Sequence, residues 1–205
     1  MSQLKKLIIY VEGKDDLSFF AEFIEANFPS SGIVKQNNTS YSFVKDKFEK
    51  DSQLLEYGGD KFIFEISKIQ DWLRDGYEII VLADCDKSKA DKEAHYNKIK
   101  QEYKIDFKLY LIGDDNDKGA IERIMQQCVD KEFIPLSECF KAFNACLKSS
   151  NEASKYLLPY PYSNIKAYFS NFKAIKINNA QNPKIFNFKH PSLDTLKVFL
   201  KPYFE

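Results

Sequence analysis

The stretch Leu7–Phe20, "LIIYVEGKDDLSFF", places a run of apolar residues directly before three acids. β-Branched and aromatic residues without polar alternation predict a strand over residues 6–11 that is buried on both faces. Apolar residues at helical spacing follow, which predicts a helix with Asp15 as its N-cap. Glu12, Asp15 and Asp16 carry like charges, so they repel unless a positive group lies between them.

Strands and helices alternate along the rest of the N-terminal part of the chain. Strands are predicted at 54–57, 77–83 and 107–112, with helices at 60–74, 87–104 and 120–129. Residues 29–40 predict a loop-rich insertion, and residues 43–50 predict a short charged helix. This alternation predicts an α/β fold, a Rossmann-like parallel sheet with helices on both faces.

The 205 residues predict one main domain with an appended part. Residues 1–130 are expected to form the α/β domain, and residues 131–205 a mainly helical C-terminal extension packed on it. Residues 151–205 contain eight lysines against three acids, a net charge of +5, and the rest of the chain carries −5. Their eleven aromatic residues predict a base-stacking, phosphate-binding surface. The alternative is a helical cap whose aromatic side chains form core.

The cysteine pattern bears on where the protein resides. The four cysteines include no CxxC pair, which predicts reduced thiols and a cytoplasmic protein. Lys5 and Lys6 are followed by only five apolar residues before Glu12, so no signal peptide is expected. No segment has the length of a transmembrane helix, and a membrane is not expected as a partner.

Acids follow three of the predicted strands. Glu12 follows the first strand, Asp84 and Asp86 end the third, and the acidic run 114–117 with Glu122 comes after the fourth. Ligands bind at the carboxyl ends of the strands in an open parallel sheet. Several carboxylates without histidine or paired cysteine form the ligand set of a hard cation such as Mg²⁺ or Mn²⁺. A divalent ion is therefore the predicted counter-charge for Glu12 and its neighbours.

Two motifs in this order resemble the Toprim domain superfamily. "VEGKDD" (11–16) and "LADCDKS" (82–88), with a Gly-Gly turn between them, are similar to the metal-binding motifs of topoisomerases, bacterial primases and the overcoming-lysogenization-defect nucleases. "GDDNDKGAIERIM" (113–125) resembles a glycine-x-x-Glu segment of compact bacterial Toprim-like proteins of unassigned function. The resemblance covers roughly residues 5–130, and more loosely "NIKAYFSNF" (164–172).

The resemblance implies a set of site residues and an activity. The metal-binding acids would be Glu12, Asp16, Asp84, Asp86 and Glu122. Glu12 would double as the general acid or base, and Lys166 would stabilise charge that develops on the phosphate oxygens. The implied function is Mg²⁺- or Mn²⁺-dependent action on nucleic acid phosphodiesters, with hydrolysis of DNA as the first expectation.

Three alternatives stay open. The chain shows no ATPase domain like that of the phage-resistance nucleases, which favours a catalytically weak metal- and nucleic-acid-binding module with a separate ATPase partner, in phage defence or DNA repair. A receiver-like phosphoacceptor domain also places acids after its first strand, but the D-x-D and the absent fifth strand count against it. Asp16 and Glu122 also suit the first turn of a helix, where acids offset the helix dipole.

Overall fold

The computed structural model describes residues 4–45, 47–86, 88–113, 121–149 and 185–205, without the side chains of Asp60, Glu122, Gln126 and eight positions between 136 and 148. The strands are β1 Leu7–Val11, β2 Ile33–Lys35, β3 Ser40–Phe43, β4 Gln53–Glu56, β5 Glu78–Asp84 and β6 Lys108–Ile112. The α-helices of the described residues are α1 Lys14–Asn27, α2 Ile66–Arg74, α3 Lys89–Tyr103, α4 Ile121–Gln127, α5 Ile134–Ser149 and α6 Asp194–Phe204. Among the described residues, no helix has the length and apolar character that crossing a bilayer requires.

The strands form one sheet in the order β2-β3-β4-β1-β5-β6. Strands β4, β1, β5 and β6 run parallel, whereas the β2–β3 and β3–β4 pairs are antiparallel. Because crossovers between parallel strands are right-handed, the connection from β1 to β4 and the return from β4 to β5 cover opposite faces of the sheet. The predicted α/β, Rossmann-like class is confirmed.

The hairpin of β2 and β3 replaces two predicted features. Residues 29–40 contain β2 and the start of β3, and the helix predicted at 43–50 is wrong. The Phe43 N–H donates to the Ser52 carbonyl at 3.0 Å, and the Val44 N–H donates to the Gly32 carbonyl at 3.1 Å. These bonds use backbone groups that a helix would need for its own ladder.

The start of α1 also differs from the prediction. Gly13, with an extended backbone, is the N-cap, and the Gly13 N–H donates to Asp16 Oδ2 at 2.9 Å. Asp15 lies in the first turn, where an acid offsets the helix dipole. The predicted Asp15 N-cap is wrong because the chain turns directly after Glu12 and the helix begins one residue earlier than Asp15.

The chain divides into two compact units, Met1–Ile121 with Pro191–Glu205, and Glu122–His190. This division differs from the predicted one, which assigns all residues after 130 to a C-terminal extension. Helix α6 belongs to the α/β unit because its apolar side chains, among them Leu200 and Phe204, are fully buried there. In the second unit, the described chain contains α4 after its first residue, α5, and an antiparallel bridge between Val129 and Phe186.

The described residues of the α/β unit include two large aromatic clusters. The tyrosine cluster lies between the sheet, α2 and α3, with edge-to-face ring contacts among Tyr10, Tyr57, Phe62, Tyr96 and Phe107. The phenylalanine cluster joins the end of α1 and the β3 region to α6, and consists of Phe28, Phe43, Phe48 and Phe204. Both clusters bury their rings almost completely, which stabilises the layers on the sheet.

Candidate functional site

The candidate site lies at the carboxyl edge of the sheet, between β1 and β5. These strands are parallel neighbours with Val11 opposite Leu82, so Glu12 and Asp84 leave the sheet at the same edge. Along the chain the parallel strands run from β1 outward to β4, and then back past β1 to β5 and β6. This reversal makes the gap between β1 and β5 the topological switch point, where open α/β sheets bind ligands.

Lys92 supplies the positive group between the acids. Its Nζ lies 3.0 Å from Glu12 Oε1 and 2.8 Å from Asp86 Oδ2. The exposed fractions of the Lys92 and Glu12 side chains are 19% and 18%. Burial lowers the pKa of the Lys92 ammonium, but the hydrogen bond to Asp86 and the charge of Glu12 outweigh it and hold the pKa above its usual range. Lys92 is therefore charged at neutral pH, and it binds two of the predicted acids at once.

Helix α3 positions Lys92 near its start. The Ser88 side chain caps this helix and accepts a hydrogen bond from the Asp91 N–H at 3.2 Å. Lys92 therefore comes one turn into the helix, within ion-pair distance of Asp86, which lies two residues after β5. A cation near a helix N-terminus opposes the helix dipole. Its ion pairs with Glu12 and Asp86 offset that unfavourable position.

Asp86 has an unusual backbone conformation. Its φ of 55° lies in the left-handed region, which few non-glycine residues adopt, although aspartate tolerates it better than most. The Asp86 side chain is about half exposed, at 51%, and bonded to Lys92. Strained backbone of this kind concentrates at functional sites.

Asp84 differs from Asp86 although only one residue separates them. Asp84 is 8% exposed, and its Oδ1 accepts a hydrogen bond from the Ile121 N–H at 3.0 Å. In β5, Ile79, Val81 and Ala83 belong to the core on the α2–α3 side, so strand alternation directs Asp84 to the other face. The D-x-D thus contributes one buried acid that binds backbone and one rim acid that binds Lys92.

The Glu12 region is fixed by the neighbouring β4 loop. The N–H groups of Gly58 and Gly59 donate to the Glu12 carbonyl oxygen at 3.0 and 2.8 Å. Both glycines have positive φ, 79° and 67°, which favours glycine over any other residue. The predicted role of Gly58 and Gly59 as turn residues is confirmed, and the turn holds the Glu12 backbone in place.

Two tyrosines connect the site to the core. The Tyr57 and Tyr96 hydroxyl groups lie 2.8 Å apart in a buried hydrogen bond. Burial above all, followed by interactions with Tyr96 and Glu12, raises the pKa of Tyr57. Burial also raises the pKa of Tyr96, to about 12. Both hydroxyls therefore stay protonated and can donate hydrogen bonds near the Glu12 carboxylate.

The other predicted site residues are not brought together in the described residues. The Asp16 carboxylate binds the Gly13 N–H at the start of α1. The Glu122 side chain, the acidic run 114–117 and Lys166 lie outside the described part of the chain. Within that part, no group of three or more histidine, cysteine or acidic side chains is arranged to hold a metal ion.

Sequence reasoning misses Lys92, Tyr57 and Tyr96. The predicted helix at 87–104 contains six lysines, and no local pattern singles out the fourth residue of α3. Tyr57 carries a signal, because it is the last residue of the strand predicted at 54–57 and so lies at the same edge as Glu12. Tyr96 has none apart from its helical spacing from Lys92.

Fold and site together define a Rossmann-like α/β protein with two carboxylates and a lysine at the switch point of its sheet. The chain belongs to the family described as a protein of unknown function (DUF3226), whose model matches residues 6–205. Neither a curated protein nor a solved structure matches the chain.

Proposed function

We propose that the chain is a Mg²⁺-dependent, Toprim-like protein that hydrolyses nucleic acid phosphodiesters, with DNA as the first substrate to test. One observation above all supports the proposal. At the switch point of the sheet, the carboxylates of Glu12 and Asp86 share one positive charge, the Lys92 ammonium. The site therefore already accommodates a cation between two hard oxygen donors.

The donor chemistry of this site fits Mg²⁺ or Mn²⁺. Mg²⁺ keeps several of its waters and commonly binds through one or two carboxylates together with substrate phosphates. Glu12 and Asp86 would hold the ion, and Asp84 and Glu122 follow strands at the same predicted edge. When bound, the ion would polarise the scissile phosphate and lower the pKa of a coordinated water.

The chain's own residues would position the substrate and move the proton. Glu12 is partly exposed beside two tyrosine hydroxyl groups, so it can accept a proton from water while Tyr57 orients its carboxylate. A lysine at the rim, Lys92 or the predicted Lys166, would stabilise charge on the phosphate oxygens. Asp16 is proposed as a further ligand because it lies four residues after Glu12, in the first turn of α1.

The basic segment 151–205 is the proposed surface for nucleic acid. In residues 185–205, the rings of Phe186, Phe188 and Phe204 are buried, which favours core over base stacking for these three. Phe199 and Tyr203 are only partly buried, so a stacking surface would depend on these two rings and on aromatic residues in 151–184, outside the described residues. Binding through the eight lysines should weaken steeply as salt rises.

The small number of acidic side chains that meet at the site within the described chain favours a second function. Because no three-acid group occurs in the described residues, the chain would suit a weak catalyst or a binding module that works beside a separate ATPase. A cytoplasmic location belongs to both proposals. It is supported by the four cysteines, none of which forms a disulfide, as expected in a reducing compartment.

A nuclease assay on the purified chain tests the proposal. Labelled single-stranded DNA, duplex DNA and RNA are incubated with Mg²⁺, with Mn²⁺ or with chelator, and Glu12→Gln is run beside the wild type. Cleavage that needs the divalent ion and Glu12 supports hydrolysis. Salt-sensitive binding without cleavage supports the module. The absence of both binding and cleavage contradicts both functions.

A further inference from the structure

We infer that Lys92 is an internal cation that competes with the divalent ion for Glu12 and Asp86. This inference rests on the proposed function, because it requires a divalent ion to bind at these two carboxylates. It adds a property of the site that no part of the proposed reaction needs. In the metal-free protein Lys92 compensates one of the two negative charges, and the metal can bind between these oxygens only when Lys92 leaves.

The geometry makes the two cations mutually exclusive. Lys92 Nζ lies 3.0 Å from Glu12 Oε1 and 2.8 Å from Asp86 Oδ2, so it fills the space between these oxygens. A bound Mg²⁺ lies roughly 2.0–2.1 Å from its oxygen ligands. An ion bound to the same oxygens would lie within a few ångströms of the ammonium, where two positive charges repel strongly in a partly buried site.

The location of Lys92 is not explained by the needs of its helix. The residue lies one turn from the start of α3, where the helix dipole disfavours a positive charge. Its side chain is nevertheless largely buried, at 19% exposed, and directed to the two acids. The contacts with Glu12 and Asp86 are therefore what holds this side chain in place.

Competition of this kind sets the metal affinity. Binding of a divalent ion must first break two ion pairs and return a long, flexible side chain to solvent. The wild-type site should therefore bind metal more weakly than the same carboxylates without the lysine. Once displaced, the ammonium stays at the rim of the site through its helix, within reach of an anionic ligand.

Metal titration of the full-length chain tests the inference. Mn²⁺ is titrated into metal-free wild type, Lys92→Gln and Lys98→Gln, and the dissociation constants are measured by calorimetry. Lys98 is exposed on the same helix and is the matched control. We expect Lys92→Gln to bind Mn²⁺ at least about tenfold more tightly, Lys98→Gln to match the wild type, and Lys92→Gln/Glu12→Gln to lose the gain. Lys92→Met, which keeps the apolar stem, replaces Lys92→Gln if the latter does not fold.

The outcomes of the titration distinguish a failure of the inference from a failure of the proposed function. Equal affinities in wild type and Lys92→Gln overturn the competition and leave the metal site intact. Binding by Lys92→Gln but not by wild type supports the competition and contradicts a metal-dependent wild-type activity. No binding by any variant overturns both. A gain that survives Glu12→Gln shows a different metal site and overturns the inference alone.

Discussion

The tyrosine cluster and the phenylalanine cluster have similar sizes and burial but different chemistry. The phenylalanine cluster has no polar atom in its rings, and it ties α6 to α1 and β3. The tyrosine cluster carries hydroxyl groups, and two of them, on Tyr57 and Tyr96, meet at the edge where Glu12 and Lys92 lie. The comparison indicates that one cluster only stabilises the fold, while the other also connects the fold to the candidate site.

The largest expected effect is the loss of a ring from the phenylalanine cluster. Phe204 is fully buried and stacks on Phe28 with ring centroids 5.0 Å apart. Phe204→Ala should lower the free energy of unfolding by about 3–5 kcal/mol, through lost burial and a cavity. Urea unfolding measures this, with Val198→Ala, on the exposed side of α6 at 70%, as the control. An equal loss in both variants would contradict the packing role of Phe204.

The second effect concerns metal binding at the candidate site, which lies beside the tyrosine cluster. At a free Mg²⁺ concentration about 100 times the dissociation constant, one site stabilises the fold by roughly 2.7 kcal/mol. Glu12→Gln/Asp86→Asn should abolish the Mg²⁺-dependent rise in melting temperature, whereas Phe204→Ala should keep it. Thermal unfolding with Mg²⁺ and with chelator measures the difference.

The control for this variant removes two acids away from the site. Glu78 and Glu102 are exposed, and Glu78 starts β5 at the opposite edge of the sheet. Glu78→Gln/Glu102→Gln should retain the full metal response. A response that persists in Glu12→Gln/Asp86→Asn would remove these two carboxylates from the proposed ligand set.

The third effect tests the hydroxyl groups of the tyrosine cluster. Tyr57→Phe leaves the buried Tyr96 hydroxyl without its partner and should cost about 1–3 kcal/mol. Tyr96→Phe should cost less, because the Tyr57 hydroxyl keeps its interaction with Glu12. A double-mutant cycle measured by chemical unfolding gives the coupling between the two. Additive losses would mean that the hydroxyl groups act independently and do not connect core and site.

The smallest effect concerns Glu22 on α1. Burial, and then the charge of Glu25, raises the pKa of Glu22 to about 7. Because the pKa is raised in the folded state, the folded protein holds the Glu22 proton more tightly than the unfolded chain does. This contribution to the free energy of unfolding is fully present below the ordinary pKa of glutamate and is lost as the pH rises through 7. Glu22→Gln should therefore stabilise the protein above pH 7 by about 1–2 kcal/mol, with little effect near pH 4.

The pH dependence of unfolding measures the Glu22 effect. Glu93→Gln, at an exposed position of α3, is the control and should leave the profile unchanged. A Glu22→Gln profile parallel to that of the wild type from pH 4 to pH 9 would show that this carboxyl titrates normally.

The sequence predicts the centre of the sheet because β1 and β5 are buried on both faces. Continuous apolar runs of this length, such as those of β1 and β5, are typical of strands in a parallel sheet. The antiparallel hairpin is missed because β2 and β3 are short and β3 alternates serine with aromatic residues. Its pairing depends on partners that only the folded sheet provides.

The candidate site is predictable only in part, for a physical reason. Glu12, Asp84 and Asp86 follow strands, and strand ends in a parallel sheet share an edge, so their approximate positions follow from sequence. The different directions of Asp84 and Asp86 depend on the left-handed backbone at Asp86, which no residue pattern predicts. Lys92 reaches the acids because α3 begins shortly after β5, at the edge of the sheet where Glu12 and Asp86 lie.

The interrupted sequence of the α/β unit has a consequence for synthesis on the ribosome. Residues Glu122–His190 separate the sheet from α6, so Phe204 reaches Phe28, Phe43 and Phe48 only after that whole segment has been translated. At a translation rate of roughly 5–20 residues per second, the three phenylalanine rings on the nascent sheet stay exposed for several seconds before Phe204 can cover them. A chaperone that binds apolar surface therefore has a defined target on the nascent chain, and it loses that target when α6 emerges and docks.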